Sequence, residues 1–201
     1  MLVGLWLACV RTALAAVCSE SPLAWRGPQL SPSLPPYGDA AQLLTPWGED
    51  VDAARALTEE HPNPTQARAR WCSLNGVWEL DRFARDLDAP PAASAGAAGA
   101  LPETILVPFA IESALSGVRN LTAASYAWYR RNFTLPSALR PAGDGGRLLL
   151  HFEAVDWEAH VYVDGVLAGA HAGGYDPFEL TSERTEDTPR SAQMNRPPVS
   201  G

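Results

Sequence analysis

From Trp71 onward the chain is built of short alternations of hydrophobic and polar residues broken by turn-forming residues; before Trp71 no such rhythm is present. Gly76-Val77-Trp78-Glu79-Leu80 alternates with the period of a half-buried strand. Thr104 to Val107 is a short β-branched run stopped by Pro108, and Tyr126 to Leu135 is an aromatic-rich run ended by Pro136. Arg147 to Phe152 puts Leu148, Leu150 and Phe152 on one face and Leu149 and His151 on the other. Short strands at this spacing, each closed by Pro, Gly or Asp, predict an all-β antiparallel domain of two layers.

The sharpest local signal is Asp164-Gly165 between two apolar runs. A two-residue Asp-Gly loop favours a type I′ turn, because both central residues must take positive φ. An unbroken register then pairs Val163 with Val166, Val161 with Ala168 and Ala159 with Ala170, all on one face. The opposite face carries Tyr162 beside Leu167, His160 beside Gly169 and Glu158 beside His171. One apolar and one polar face is what a sheet covered on one side requires.

The flanking segments read differently. Residues 1–16 hold a short apolar run, Leu2 to Val10, then Arg11 and the small residues Thr12 to Ala16, the outline of a secretory signal peptide. The run is too short to cross a membrane as a helix. Residues 17–70 are expected to form an extended, proline-rich arm with a short helix over Asp50 to Glu60, ended by His61-Pro62-Asn63-Pro64, and a further helical turn over Thr65 to Arg70. Asp88 to Pro102 is an Ala/Pro/Gly insertion expected on the surface. Residues 182–201 lack periodicity and large apolar side chains, so they read as a disordered tail.

Charge narrows the functional classes. The 15 basic and 23 acidic residues give a net charge of −8, which argues against binding nucleic acid through phosphate contacts. Of three cysteines, Cys9 lies in the leader. Cys18 and Cys72 leave two alternatives: one disulfide in an oxidising compartment, or two thiols. Asn120-Leu121-Thr122 and Asn132-Phe133-Thr134 are acceptor motifs for N-glycosylation. The leader points to the secretory pathway, with the cytoplasm as the alternative.

Five blocks in order resemble the amino-terminal sugar-binding domain of glycoside hydrolase family 2, a family of β-galactosidases, β-glucuronidases and β-mannosidases. They are Leu74-Asn75-Gly76-Val77-Trp78-Glu79; Val107 to Val118; Trp128-Tyr129-Arg130-Arg131-Asn132-Phe133-Thr134-Leu135-Pro136; Val155-Asp156 with Val161-Tyr162-Val163-Asp164-Gly165; and Gly173-Gly174-Tyr175-Asp176-Pro177-Phe178. Asp164 stands where the family pattern has Asn, and either residue suits the turn. The resemblance spans residues 71–181 and implies a jelly-roll, galactose-binding-like β-sandwich. It also implies retaining hydrolysis of O-glycosyl bonds by two glutamates on a later TIM barrel. Such a barrel needs about 250 residues, and 20 follow Thr181. The expectation is therefore a chain that is non-catalytic by itself and meets downstream domains of a larger enzyme. A lectin-like carbohydrate-binding module and an incomplete or spliced product are the alternatives.

Candidate chemistry is correspondingly sparse, with no catalytic residue, no metal site and no cofactor expected. Pyranose faces are apolar and stack on rigid aromatic surface, which makes Tyr162, Tyr175 and Trp157 the candidate sugar contacts. Core packing is the competing reading, and the stronger one for Trp157 and Trp128. His160, His171 and Glu158 would share one hairpin face, short of a converging zinc set. Glu153, Asp156 and Glu158 read as a solvated cluster, Arg130-Arg131 as ion-pairing residues, and Gly173-Gly174 as a tight turn. The expected partner is a β-glycoside; neither nucleic acid nor a membrane is expected.

Overall fold

A computed structural model of the chain describes residues 5–8, 46–51, 65, 70–82, 101–119, 127–139, 147–182 and 190–196. Its strands are β1 (Leu5–Ala8), β2 (Trp71–Ser73), β3 (Gly76–Asp81), β4 (Glu103–Val107), β5 (Ala127–Phe133), β6 (Leu148–Phe152), β7 (Glu158–Val163), β8 (Val166–Ala172), β9 (Phe178–Ser182) and β10 (Arg190–Arg196). One short helix, α1 (Pro46–Glu49), and single 3-10 turns at Ala114–Ser116 and Ser137–Leu139 complete the described elements. None of the described helices is long and apolar enough to cross a membrane.

Two antiparallel sheets result, one in the order β2-β1-β6-β9 and the other β4-β3-β5-β10-β7-β8. A single apolar cluster draws on both. Cys72, Leu148, Leu150 and Phe152 come from the smaller sheet, and Trp78, Leu80, Ile105, Tyr129, Phe133, Val161 and Val163 from the larger. The alternation read in β3 and β6 explains this: Leu148, Leu150 and Phe152 are each nearly solvent-free, as their shared face predicts. Apart from α1 and the two 3-10 turns, the described elements are all strands in antiparallel sheets, as the sequence pattern predicts.

Three features depart from the sequence reading. Arg190–Arg196 falls in the stretch read as a disordered tail, yet it is a strand seated between β5 and β7, with Gln193 opposite both Arg130 and Tyr162. Its Arg-Ser-Ala-Gln-Met-Asn-Arg sequence shows no apolar period; a ladder of backbone hydrogen bonds does not require one. Leu5–Ala8, inside the expected leader, forms β1 and pairs with β2 and β6, placing Leu7 opposite Cys72 and Leu150. A short apolar run satisfies either role.

The third departure is in the β7–β8 hairpin. Asp164 and Gly165 have φ of 52° and 78°, and Val163 faces Val166, as the turn predicts. Between Val161 and Tyr162 a bulge shifts the register. Val161 therefore faces Gly169, His160 faces Ala170, Ala159 faces His171 and Glu158 faces Ala172. A Cβ at Gly169 would lie 2.6 Å from Leu180 Cδ2 of the facing sheet, so a larger residue there would displace that side chain. Val166, expected to point inward, is exposed, as is Leu167.

Cys72 is disulfide-bonded, and its partner lies outside the described residues. The expected arm and its helix at Asp50 to Glu60 also fall largely outside them, as do the insertion at 88–100 and Asn120. Asn132 is exposed on β5.

Candidate functional site

The larger sheet fixes its polar interior before it presents anything to solvent. Glu79 and Arg130 face each other across β3 and β5, and Arg130 Nε donates to Glu79 Oε2 in a buried ion pair. The next residue, Arg131, is buried on the opposite face of β5. Its Nη1 donates to the carbonyl oxygens of Leu74 (3.1 Å) and Asn75 (2.8 Å). Burial lowers its pKa from the ordinary arginine value to about 10, so it remains a cation at neutral pH. Gly76 has φ of 130°, and a Cβ on it would sit 2.6 Å from Arg131 Nη1. The two arginines thus have structural partners, which is how the sequence reads them. Arg82 is likewise engaged, donating to Glu103 Oε2 at 2.7 Å.

At the open end of the β7–β8 hairpin the chain behaves differently. The bend 153–157 and the loop 173–177 are tied by a hydrogen bond from Gly173 N–H to Trp157 O, 2.8 Å long. Trp157 is 49% exposed and Tyr175 94% exposed. Large aromatic rings in such positions give up apolar burial, which is the informative deviation from ordinary packing.

Polar groups gather around the same two glycines. A Cβ on Gly174 would lie 2.8 Å from Asp156 Oδ1, and one on Gly173 would lie 3.4 Å from His171 Nε2 and 3.5 Å from Asp176 Oδ2. Gly173 also has φ of 140°. Asp156 crowds Gly174, whereas Gly173 is required by its positive φ, with His171 and Asp176 at ordinary contact distance. The His171 ring is held in place by stacking: it lies 4.3 Å from Phe178, which lies 4.6 Å from Phe152 in the core. A column of three rings therefore runs from the core to the corner.

Of the sequence candidates, the structure brings Trp157 and Tyr175 to this corner and sets Tyr162 apart. Tyr162 is 9% exposed and tilted against Trp128 at a ring distance of 5.6 Å. Its strand position gives it a covered face, so it is removed from the candidate contacts. His160 pairs with Glu158 at 2.9 Å, while the bulge sends His171 to the glycine corner instead. Among the described residues no three His, Cys, Asp or Glu side chains converge as metal ligands. The placement of Asp156 beside Gly174, and of His171 and Asp176 beside Gly173, was not read from the sequence. Its signal is the pair of Asp-aromatic and aromatic-Asp dipeptides, Asp156-Trp157 and Tyr175-Asp176, joined through adjacent glycines.

Comparison with known proteins gives two sequence relatives. The chain is 42% identical over 54 residues to a β-galactosidase of Thermoanaerobacter pseudethanolicus, covering 27% of this chain and 7% of that protein. It is 38% identical over 53 residues to a β-glucuronidase of Streptococcus agalactiae serotype V, covering 26% of this chain and 8% of that protein. Among solved structures it is similar to a Bifidobacterium dentium β-glucuronidase, at 26% identity and a TM-score of 0.47. That match covers 62% of this chain and 19% of the other. A Faecalibacterium prausnitzii β-glucuronidase gives 23% identity and a TM-score of 0.46, covering 62% and 20%. No family model matches the chain. The chain thus carries a domain similar to part of the family 2 glycosidases, and it spans under a tenth of the curated relatives it matches.

Proposed function

We propose that residues 71–181 are the amino-terminal jelly-roll sandwich of a family 2 glycosidase, and that this sandwich holds sugar at the rim of a site whose hydrolytic carboxylates lie elsewhere in the enzyme. The observation that carries this is the 42% identity over 54 residues to a β-galactosidase. The two sequence relatives, a β-galactosidase and a β-glucuronidase, support a β-galactoside or a β-glucuronide as the ligand class.

The geometry supports a holding role and not a cleaving one. A retaining glycosidase needs two carboxyl groups about 5 Å apart across the scissile bond. Glu79 is buried against Arg130, Glu103 engages Arg82, Glu179 lies 2.7 Å from His151 Nδ1, and Glu158 lies 2.9 Å from His160 Nε2. Each of these glutamates has a structural partner. The exposed rings of Trp157 and Tyr175, by contrast, offer stacking surface for a pyranose. The disulfide at Cys72 supports folding in the secretory pathway, where Asn132 would be open to glycosylation.

The purified chain is expected to leave nitrophenyl β-galactoside and β-glucuronide uncleaved, while millimolar glycoside changes its tryptophan fluorescence. Turnover of either substrate by the pure chain would defeat the non-catalytic part of the proposal. An unchanged emission spectrum at saturating sugar would defeat the binding part.

A further inference from the structure

The acceptor motif Asn132-Phe133-Thr134 straddles the end of β5. Strand alternation sorts its residues: Phe133 is buried in the core cluster, whereas Asn132 and Thr134 are both exposed. On either side, Arg131 and Leu135 are buried. The two polar members of the motif therefore reach solvent together, and the residues between and beside them anchor the backbone.

Cross-strand register fixes where on the sheet this happens. Asn132 faces Ser191 on β10, and the next residue, Ala192, faces Val163 on β7. Asn132 is thus level with the Asp164-Gly165 turn. It shares the outer face of the sheet with Arg130, two residues back, and with Tyr162, since Gln193 of β10 faces both of these. The Trp157–Tyr175 corner starts at the other end of β7, about 20 Å along the strand.

We infer that Asn132 carries an N-linked glycan projecting from the turn end of the larger sheet, away from the Trp157–Tyr175 corner. This rests on the secretory reading above and adds the residue modified and the place of the glycan on the fold. The disulfide at Cys72 supports an oxidising compartment, the setting in which such transfer occurs. The donor is an oligosaccharide linked to a lipid through pyrophosphate. Asn132 Nδ2 forms a bond to the anomeric carbon of the first N-acetylglucosamine, and the bond from that carbon to the pyrophosphate oxygen breaks. The lipid pyrophosphate departs, and Nδ2 gives up one proton. Thr134 supplies the hydroxyl that the motif requires. A glycan is bulky and hydrated, so a fold tolerates it only on a side chain open to water. Asn132 meets that condition, whereas a group of that size at Arg131 or Phe133 would have to enter the interior.

The full chain is translated with microsomes of the endoplasmic reticulum, and protection from added protease reports import. Peptide N-glycosidase then releases the glycan and leaves Asp at the residue that bore it, which peptide mass spectrometry locates. Protected chain is expected to be modified at Asn132. Asn132→Gln and Thr134→Ala are expected to abolish modification there, and Thr134→Ser to retain it. The modified chain is expected to unfold at the same urea concentration as chain from which the glycan has been released. Protected chain left unmodified at Asn132 overturns the inference while the secretory reading stands, whatever happens at Asn120. A modified chain that unfolds at markedly lower urea overturns the placement on an open face. Chain that remains open to protease overturns the secretory reading, and the inference with it.

Discussion

The buried interior of the larger sheet and the open corner of its edge hairpin use the same kinds of residue to opposite ends. In the interior, Arg130, Arg131 and Glu79 are enclosed: Arg130 pairs with Glu79, and Arg131 donates through Nη1 to backbone carbonyls. At the corner, Asp156 and Asp176 stand beside bare backbone, and the aromatic rings face solvent. Charged groups inside a protein are tolerated when their partners are fixed. Charged groups on a rim are worth little to stability. Frame and corner should therefore separate cleanly under mutation: one changes folding, the other changes affinity.

The largest effect is expected from Glu79→Ala. It removes the carboxylate with which the buried Arg130, 3% exposed, forms its ion pair, which should cost about 3–5 kcal/mol. Urea denaturation checks this, and a loss under 1 kcal/mol would mean that the interior is wetter than described. Next comes Gly76→Ala, where positive φ and the 2.6 Å approach to Arg131 Nη1 combine. The expected loss is about 2–3 kcal/mol by the same assay. At the corner, Trp157→Ala should weaken sugar binding on the order of tenfold, the usual scale for removing an aromatic contact. Its denaturation midpoint should stay close to wild type, and a collapse of stability would place Trp157 with the frame. The smallest change belongs to Val166→Ser at the opposite, turn end of the hairpin. Val166 is 60% exposed. Stability should move by no more than about 0.5 kcal/mol and sugar affinity not at all; any loss of affinity would extend the site along the whole hairpin.

What the sequence disclosed follows from which forces leave a mark in it. Burial does: Leu148, Leu150 and Phe152 announce their face by spacing, and the structure buries all three. Turn stereochemistry does too, and Asp164-Gly165 takes the predicted positive φ values. Backbone pairing leaves almost none, so polar β10 went unread although it sits in the middle of a sheet. A bulge is equally silent, because one residue inserted opposite Val161 and Tyr162 alters no composition. That insertion is why the expected pairing of Glu158 with His171 fails and His171 reaches the glycines. Tyr162 shows the converse limit, since an alternating pattern marks two faces without saying which of them is covered.

The covalent bond at Cys72 has a practical corollary for anyone making this protein. A bacterial cytosol keeps thiols reduced, so material expressed there would lack the one crosslink seen among the described residues. Its denatured ensemble would be larger in entropy by the closure of a long loop, a term of about 4 kcal/mol for loops of many tens of residues. Export to the periplasm, or refolding in a glutathione couple, is the preparation on which comparisons of frame and corner should be made.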